Sequence, residues 1–323
     1  MSVSLDLLVI GDANPDVVVH GAPTTLAYGQ AEQLAKGGAL AVGGSAAIMA
    51  CAAAGLGLRT ALAGVVGDDP GGRFMMGELA RRGVDIGAVA IREDLATGLT
   101  VALARGDDRA IVTYPGCIAA LEAGMIDPAV VGAARHVHAS SFFLQPRLAP
   151  GLRGLFEAAR SSGATTSLDL NWDPAGTWDG GLADVLPGVD VLFVNAAEAA
   201  AISGATDPAV AATVLAARGP LPVVKLGADG ALARDGCRLV HVSAPAVTVV
   251  DTVGAGDTFD AGFLCARLQG WDVSRSLALG VACGSLSARR PGGVAGQPTL
   301  AEALTVVEGL LPDLGGPPRK CDP

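Results

Sequence analysis

The stretch TVVDTVGAGDTFDAGFLCARLQG, residues 248–270, joins an apolar strand-like segment to a glycine-rich turn and then to a helix. Phe259 and Phe263 begin the stripe of side chains that this helix would bury. A glycine-rich turn at a helix start points backbone N–H groups outward at the positive end of the helix dipole. Gly254 and Gly256 suit the turn because a side chain would block an approaching phosphate. The stretch therefore predicts an anion site where a strand passes into a helix.

Asp257 lies in the first turn of this predicted helix. Its carboxylate could serve as a helix cap only, but Asp251 precedes the glycines and a threonine follows each of the two acids. A carboxylate at a helix N-terminus stays ionised, so Asp257 could accept the proton of a substrate hydroxyl. Phosphoryl transfer needs such a positioned acceptor next to amides that hold the phosphate. The pattern favours a kinase with Asp257 as its base.

Apolar runs of strand length alternate with helical patterns through most of the chain, which predicts a doubly wound, mostly parallel α/β sheet. The predicted strands are 5–11, 60–67, 136–142, 165–171, 189–195 and 222–227. The predicted helices between them are 45–57, 72–83, 148–161, 196–203 and 207–218. After residue 230 two short antiparallel strands and then helices over 257–310 are expected.

Two segments interrupt this alternation. Residues 13–42 and 96–115 contain short extended pieces without a crossover helix, so they predict a small β-rich lid beside the main sheet. No internal repeat or linker divides the chain, so residues 1–323 are predicted to form a single domain with this lid. The Pro/Gly-rich segment 311–323 is predicted to be a flexible tail.

Charge and composition limit the partners and the compartment. The formal net charge of −10 disfavours nucleic acid and anionic membranes as partners. The N-terminus MSVSLDLLVIGD lacks the basic region of a signal peptide. None of the six cysteines forms a CxxC pair, which predicts buried free thiols. These features predict a cytoplasmic protein whose main partner is neither nucleic acid nor a membrane.

The segment DTVGAGDTFDAGF, residues 251–263, resembles the C-terminal signature of the PfkB carbohydrate kinase family, whose fold is ribokinase-like. Gly43 and Gly44 resemble the N-terminal di-glycine motif of that family. Residues 195–198 are similar to its N-x-x-E motif, although alone they could merely end a strand and begin a helix. Residues 225–230 resemble the strand and turn that lie beside the nucleotide. The resemblance extends over nearly the whole chain.

The resemblance implies an ATP-dependent phosphotransferase that acts on a sugar hydroxyl. Asp257 would be the base, and the amides of the 254–257 turn would stabilise the transferring phosphoryl group. The catalytic residues would thus be Gly254, Ala255, Gly256 and Asp257. The substrate-binding residues would be Asp12, Asn14, Asp16, Gly43, Gly44 and Asp257.

The same resemblance implies a nucleotide and metal ions. ATP would lie beside Asn195, Glu198, Lys225, Gly227, Gly230 and Gly256. Asn195 and Glu198 would hold Mg²⁺ through water. Asp251, Val253, Ala288 and Gly293 resemble the K⁺ site that some members have. A homodimer formed through the lid strands also fits the resemblance.

Several positions depart from the family pattern and concern the substrate. Ile48 stands where many sugar kinases have Asn, and Asp173 stands where sugar-acid kinases often have Arg. Ile48 removes a polar contact to the usual sugar substrate, whereas Asp173 disfavours an anionic substrate. Trp172 and Trp178 are interpreted as packing residues, and Asp260 as a solvated side chain. Two alternatives remain open: a nucleoside kinase, which an apolar or aromatic pocket under the lid would favour, and a catalytically weak sugar-binding regulator.

Overall fold

The structure is a computed structural model, and it describes residues 5–23, 25–105 and 108–310. The predicted flexible tail at 311–323 lies outside the described residues. The described strands are β1 (Leu5–Ile10), β2 (Asn14–His20), β3 (Gly37–Gly43), β4 (Thr60–Gly67), β5 (Asp85–Arg92), β6 (Leu99–Arg105), β7 (Asp108–Tyr114), β8 (Ala134–Ala139), β9 (Thr165–Asp169), β10 (Val191–Asn195), β11 (Leu221–Lys225), β12 (Ala231–Asp235) and β13 (Arg238–Val242).

The described helices follow the predicted alternation closely. They are α1 (Ser45–Gly55), α2 (Pro70–Arg81), α3 (Pro128–Ala133), α4 (Ala149–Ser161), α5 (Leu182–Val185), α6 (Ala196–Ser203), α7 (Pro208–Ala216), α8 (Ala255–Leu268), α9 (Val273–Ser287) and α10 (Leu300–Leu310). Helix α2 begins two residues before its predicted start because the Asp69 side chain caps it, accepting the N–H of Gly72 at 2.8 Å.

The main sheet has the strand order β13-β12-β11-β10-β9-β8-β1-β4-β5. Strands β11 to β5 in this order pair in parallel, and β12 and β13 add antiparallel pairs at one edge. Leu7 and Val9 of β1 join one hydrophobic cluster, whereas Leu8 and Ile10 join a second one on the other face. Because both faces are covered by helices, the sheet is doubly wound, which confirms the predicted fold class.

The main difference from the prediction is strand β5, which lies at the sheet edge. It pairs in parallel with β4 and is mostly exposed or half-buried. An edge strand needs fewer apolar residues than a central one, so its sequence gives a weaker strand pattern. Strand β9 ends at Asp169 rather than at the predicted 171, because Asn171 adopts a left-handed conformation with φ 57°.

A second sheet has the order β3-β2-β6-β7. Strands β2 and β6 pair in parallel, whereas the β2–β3 and β6–β7 pairs are antiparallel. The four strands lie in the two segments predicted to form the lid, apart from Gly43 at the end of β3, so the small β-rich lid is confirmed. The assignment of residues 1–323 to a single domain stays a prediction.

Two histidines on β8 are part of a buried hydrogen-bond chain. His136 contacts Thr165 Oγ1 at 2.6 Å and Ser167 Oγ at 2.7 Å. His138 contacts the same Ser167 Oγ at 2.7 Å and Ser140 Oγ at 2.8 Å. Burial lowers the pKa of each imidazole to about 3, so both rings stay neutral at physiological pH.

The cysteine prediction holds for Cys51, Cys117, Cys265 and Cys283, which are buried free thiols. It is wrong for Cys237, which is disulfide-bonded. Within the described part of the chain, no single helix is long and apolar enough to cross a membrane; α6 and α7 meet that test only jointly, with a 56° bend between them.

Candidate active site

A cleft of about 910 Å³ lies between the lid and the carboxyl ends of the main-sheet strands. Parallel strands present these ends at one edge of a sheet, so residues distant in sequence meet there. Twelve of the predicted site residues line the cleft, namely Asp12, Asn14, Asp16, Gly44, Asn195, Glu198, Lys225, Gly227, Val253, Gly254, Gly256 and Asp257. The other predicted site residues, Gly43, Gly230, Asp251, Ala255, Ala288 and Gly293, are absent from its lining.

The glycine-rich turn begins helix α8 as predicted. Gly254 is the N-cap with φ 68°, and a Cβ there would lie 2.7 Å from the Gly293 carbonyl oxygen. Only glycine fits this crowded left-handed position. The Ala255 amide donates to the Thr252 carbonyl at 3.2 Å, so it closes the turn. Within the part of the chain that the structure describes, the amides of Gly256 and Asp257 have no such acceptor, so they are the donors that could hold an anion.

The protonation of Asp257 differs from the prediction. Burial raises the pKa of its carboxyl to about 8, and the nearby charge of Asp169 adds to this effect. The charge of Lys225 and a hydrogen bond with Ser45 oppose the rise but do not cancel it. The helix N-terminus alone would keep the group ionised, whereas burial among other acids favours the protonated form. A cation beside Asp257 would lower this pKa again.

Lys225 is held by two buried carboxyl groups at the end of β11. Its Nζ lies 2.6 Å from Asp169 Oδ2 and 3.2 Å from both oxygens of Asp260. The Lys225 side chain is 14% exposed, Asp169 8% and Asp260 1%. The interpretation of Asp260 as a solvated side chain is therefore wrong. We refer to Lys225, Asp169 and Asp260 as the lysine clamp.

The two acids of the lysine clamp differ in protonation. Burial alone would raise the pKa of Asp169, but the Lys225 charge and the hydrogen bonds from Asp260 and Lys225 together outweigh burial and lower this pKa to about 2. Burial raises the pKa of Asp260 well above its ordinary value, and its carboxyl hydrogen bonds to Asp169. The clamp is thus a buried ion pair between Lys225 and Asp169, beside which burial favours the protonated form of Asp260. A lysine within an apolar strand was the sequence signal for such partners, but it does not identify them.

Asp12 has a structural task in addition to lining the cleft. Its carboxylate accepts the backbone N–H groups of Ser45 at 3.1 Å and Ala46 at 3.0 Å. Helix α1 needs this cap because its N-cap residue, Gly44, has no side chain. Gly44 has φ 81°, and a Cβ there would lie 2.8 Å from the Asp12 carbonyl oxygen. The di-glycine motif therefore packs directly against the predicted substrate-binding acids.

Asn14 and Asp16 lie on lid strand β2, and Asn14 is held by hydrogen bonds to its neighbours in the lid. The Asn14 amide nitrogen donates to Asp16 Oδ1 at 3.2 Å and to Thr100 Oγ1 at 3.1 Å, so it ties β2 to β6. A Cβ on Gly43 would overlap the Asp16 carboxylate. Gly43 thus positions a substrate-binding side chain from behind without lining the cleft itself.

Asn195 and Glu198 form a capping box at the start of α6. The Asn195 side chain accepts the Glu198 N–H at 2.9 Å, and Glu198 Oε2 accepts the Asn195 N–H at 2.9 Å. Glu198 is buried, and burial raises its pKa to about 7. The local interpretation of this motif as a strand end and helix start is correct. Both residues also line the cleft, so the capping role does not exclude a ligand role.

The two glycines after β11 have different surroundings. Gly227 has φ 61° and open space where a Cβ would lie, and it lines the cleft. Gly230 has φ 90°, and a Cβ there would overlap the Val242 carbonyl oxygen. Gly230 therefore allows β13 to pass close to the turn, and its position is structural.

The residues of the predicted K⁺ site meet beside the glycine-rich turn at 254–257. Asp251 Oδ1 accepts the Val253 N–H at 2.9 Å, and Oδ2 accepts the Gly292 N–H at 2.8 Å. The Asp251 N–H donates to the Ala288 carbonyl at 3.2 Å. The Gly293 carbonyl approaches Gly254 at the first residue of the turn. These contacts bring the four residues together, and K⁺ binding stays a prediction.

Two residues that were not assigned a substrate role also line the cleft. The Asn171 amide nitrogen donates to Ser45 Oγ at 3.1 Å and to Ser141 Oγ at 3.3 Å. Trp172 follows it and is 59% exposed, which differs from its interpretation as a packing residue. The D-x-N pattern at 169–171 was the only sequence signal for this loop.

Comparisons with known proteins show the family of the chain. The family model described as pfkB family carbohydrate kinase matches residues 4–300. The ATP-dependent ribose-1-phosphate kinase of Halopiger xanaduensis is 34% identical over 77% of this chain and 81% of its own length. The aminoimidazole riboside kinase of Salmonella typhimurium is 28% identical over 92% of this chain and 97% of its own length.

Solved structures show the same fold. The Arabidopsis thaliana ribokinase complexed with ribose and ATP superimposes with a TM-score of 0.83 at 25% identity, covering 94% of this chain and 99% of that one. The glycine-rich turn, the capping box and the di-glycine motif thus lie on a ribokinase-like fold. The family match spans nearly all of the chain. The chain therefore belongs to the pfkB family of carbohydrate kinases and is an ATP-dependent carbohydrate kinase.

Proposed function

We propose that this kinase transfers the γ-phosphoryl group of ATP to a hydroxyl of a small neutral sugar or sugar derivative, with Asp257 as the base. The observation that carries the proposal is the position of Asp257. In one cleft it stands with the polar side chains of Asp12, Asn14 and Asp16 and with the turn whose Gly256 amide could hold an anion.

The reaction balances with these groups alone. The substrate hydroxyl oxygen attacks the γ-phosphorus, the bond from that phosphorus to the β–γ bridging oxygen breaks, and ADP leaves with the bonding electrons. The hydroxyl proton passes to the Asp257 carboxylate, which must be ionised to accept it. The amides of Gly256 and Asp257 stabilise charge on the transferring group.

The donor set at Asn195 and Glu198 fits Mg²⁺. Glu198 offers a buried carboxylate and Asn195 an amide oxygen, both lining the cleft. Mg²⁺ prefers oxygen ligands and keeps several of its waters, so these side chains would hold it through water. When bound, the ion supplies positive charge to the phosphate oxygens. Lys225 and Gly227 border the same end of the cleft and would contact the nucleotide.

The acids suit a neutral polyol, because adjacent hydroxyl groups can donate to carboxylate and amide oxygens. Ile48 lines the cleft and offers no polar contact. The relatives are named for ribose 1-phosphate and for a riboside, so a ribose-like moiety fits the family. A nucleoside as substrate is the second candidate, and Trp172 favours it. K⁺ dependence, a cytoplasmic location and a homodimer through the lid stay predictions.

The test of this function is ATP consumption over a panel of sugars and nucleosides by wild type and Asp257→Asn. We expect the variant to lose about 10²–10⁴-fold in kcat, because the hydroxyl proton has no acceptor. Asp68→Asn is the matched control, because Asp68 is an exposed carboxylate outside the cleft lining. Equal turnover by wild type and Asp257→Asn would show that Asp257 is not the base.

A further inference from the structure

We propose that Trp172 is a stacking platform for a planar aromatic group of the substrate, so that the cleft selects an uncharged or cationic nucleoside-like molecule. This inference rests on the proposed phosphotransfer function and specifies its substrate class. Four features of the structure support it: the exposure of Trp172, the rigidity of its loop, its connection to the polyol-binding side chains, and the apolar and acidic character of the cleft.

The Trp172 ring is available to a ligand. Trp172 is 59% exposed although it lines the cleft, and Trp178 is packed beside it. The two rings meet edge to face, with centroids 5.1 Å apart and an interplanar angle of 86°. Such packing supports one part of the indole and leaves surface open to the cleft. An exposed aromatic ring in a binding cleft is the surface on which planar bases stack.

The loop that carries Trp172 is held in one conformation. Asp173, 4% exposed, accepts the backbone N–H groups of Ala175 at 2.8 Å, Thr177 at 2.7 Å and Trp178 at 2.6 Å. The departure at Asp173 from the arginine of sugar-acid kinases therefore has a structural use. These bonds fix Trp178, which in turn supports Trp172, so the platform is ordered before a ligand binds.

An aromatic series anchors the same loop to the core. The Trp178 and Phe143 rings meet edge to face at 5.6 Å, and Phe143 meets Phe142 in the same way at 5.2 Å. Phe142 is buried in the hydrophobic cluster on one face of the main sheet. The platform is thus supported from the core outward.

The platform is directly connected to the polyol-binding side chains. The backbone N–H of Trp172 donates to Asn171 Oδ1 at 2.8 Å, and the Asn171 side-chain amide nitrogen donates to Ser45 Oγ at 3.1 Å. The Ser45 N–H in turn donates to Asp12 Oδ2 at 3.1 Å. A ligand whose hydroxyl groups contact Asp12 therefore has Trp172 beside it, where a sugar substituent would lie.

The lining of the cleft also contains apolar residues. Besides Trp172, these apolar lining residues include Ile48, Ile111, Ile118, Leu144 and Pro174. A free sugar presents hydroxyl groups on all sides and gains little from such a surface. A planar base on the sugar would bury apolar area against these residues and stack on Trp172.

The charge of the cleft disfavours anionic substrates. Its described lining contains five acids, which are Asp12, Asp16, Asp169, Glu198 and Asp257. Lys225 is the one basic residue in that described lining, and Asp169 and Asp260 already hold its ammonium group. A phosphate or carboxylate on the substrate would find no further basic side chain in that described lining, whereas a neutral or cationic base needs none.

Kinetics on Trp172 variants test the platform. We measure kcat/KM for adenosine, cytidine, ribose and ribose 1-phosphate with wild type, Trp172→Ala and Trp172→Phe. We expect wild type to prefer a nucleoside, and Trp172→Ala to reduce the preference for that nucleoside over ribose about 10–100-fold, chiefly through KM. Trp172→Phe should restore most of it because a flat ring remains. Trp271→Phe, at the α8–α9 loop, is the matched control that should behave as wild type.

A binding measurement separates this inference from the phosphotransfer function. Nucleosides should quench the tryptophan fluorescence of wild type without ATP, and the quench should be lost in Trp172→Phe but kept in Trp271→Phe. If no nucleoside binds at millimolar concentration, or if ribose or ribose 1-phosphate is the preferred substrate, the platform is refuted while phosphotransfer stands. If nucleosides bind and quench but wild type consumes no ATP with any substrate, the proposed function fails while the platform stands.

Discussion

Lys225→Met removes the ammonium group of the lysine clamp and keeps a side chain of similar length. Asp169 and Asp260 are then left 8% and 1% exposed without their cation. We expect the free energy of unfolding to fall by about 3–5 kcal/mol at pH 8, the usual cost of removing one partner from a buried ion pair. For a chain of this size the melting temperature should fall by ~10 °C.

The pH dependence of this loss follows from the same geometry. In wild type, Lys225 lowers the pKa of Asp169 to about 2, below the ordinary 3.8. Without Lys225, burial raises the pKa of both acids, so the folded variant binds more protons than its unfolded chain above pH 3.8. Its stability therefore decreases as pH rises, by about 1.4 kcal/mol per pH unit for each such proton.

Urea unfolding at pH 5.5 and pH 8, followed by tryptophan fluorescence, measures both effects. Lys36→Met is the matched control, because Lys36 is exposed and its loss should cost little at either pH. Adding Asp169→Asn to Lys225→Met should recover part of the stability at pH 8, since it removes the unpaired charge. A loss below about 1 kcal/mol at pH 8, or an equal loss at both pH values, would refute the ion-pair account of the clamp.

Three further predictions concern other parts of the molecule. Asp6→Asn should lower the free energy of unfolding by about 1–2 kcal/mol at pH 7, measured by urea unfolding; the exposure of Arg59 keeps this cost small. Hydrogen bonding to Arg59 holds the Asp6 pKa well below its ordinary value, so the cost should shrink as pH falls below 3.8. Wild type should lose stability as pH falls below 6.5, because its buried histidines have pKa values of about 3 and stay neutral while those of the unfolded chain take up protons. His138→Gln should reduce the slope of the unfolding free energy against pH by about 1.4 kcal/mol per pH unit. Gly43→Ala, whose Cβ would displace the Asp16 carboxylate, should raise the substrate KM at least ~10-fold in a coupled ADP assay, whereas Gly55→Ala, with open space around its Cβ, should not change it.

Local patterns in the sequence were sufficient for the fold class, the lid and the glycine-rich turn that begins α8. The stretch at 248–270 indicated a strand, a glycine turn and a helix because each depends on neighbours within a few residues. The same applies to the capping box at 195–198, whose partners are three residues apart. The edge strand at 85–92 was missed because partial exposure weakens the apolar pattern that identifies a strand.

The electrostatics and the substrate surface required the tertiary structure. Lys225 contacts Asp169, 56 residues away, and Asp260, 35 residues away, so no local pattern identifies either partner. The raised pKa of Asp257 results from burial and from the charge of Asp169 at the end of β9, and both depend on distances in space. In the same way, the sequence contains Trp172, but only its packing on Trp178 leaves a ring facing the cleft.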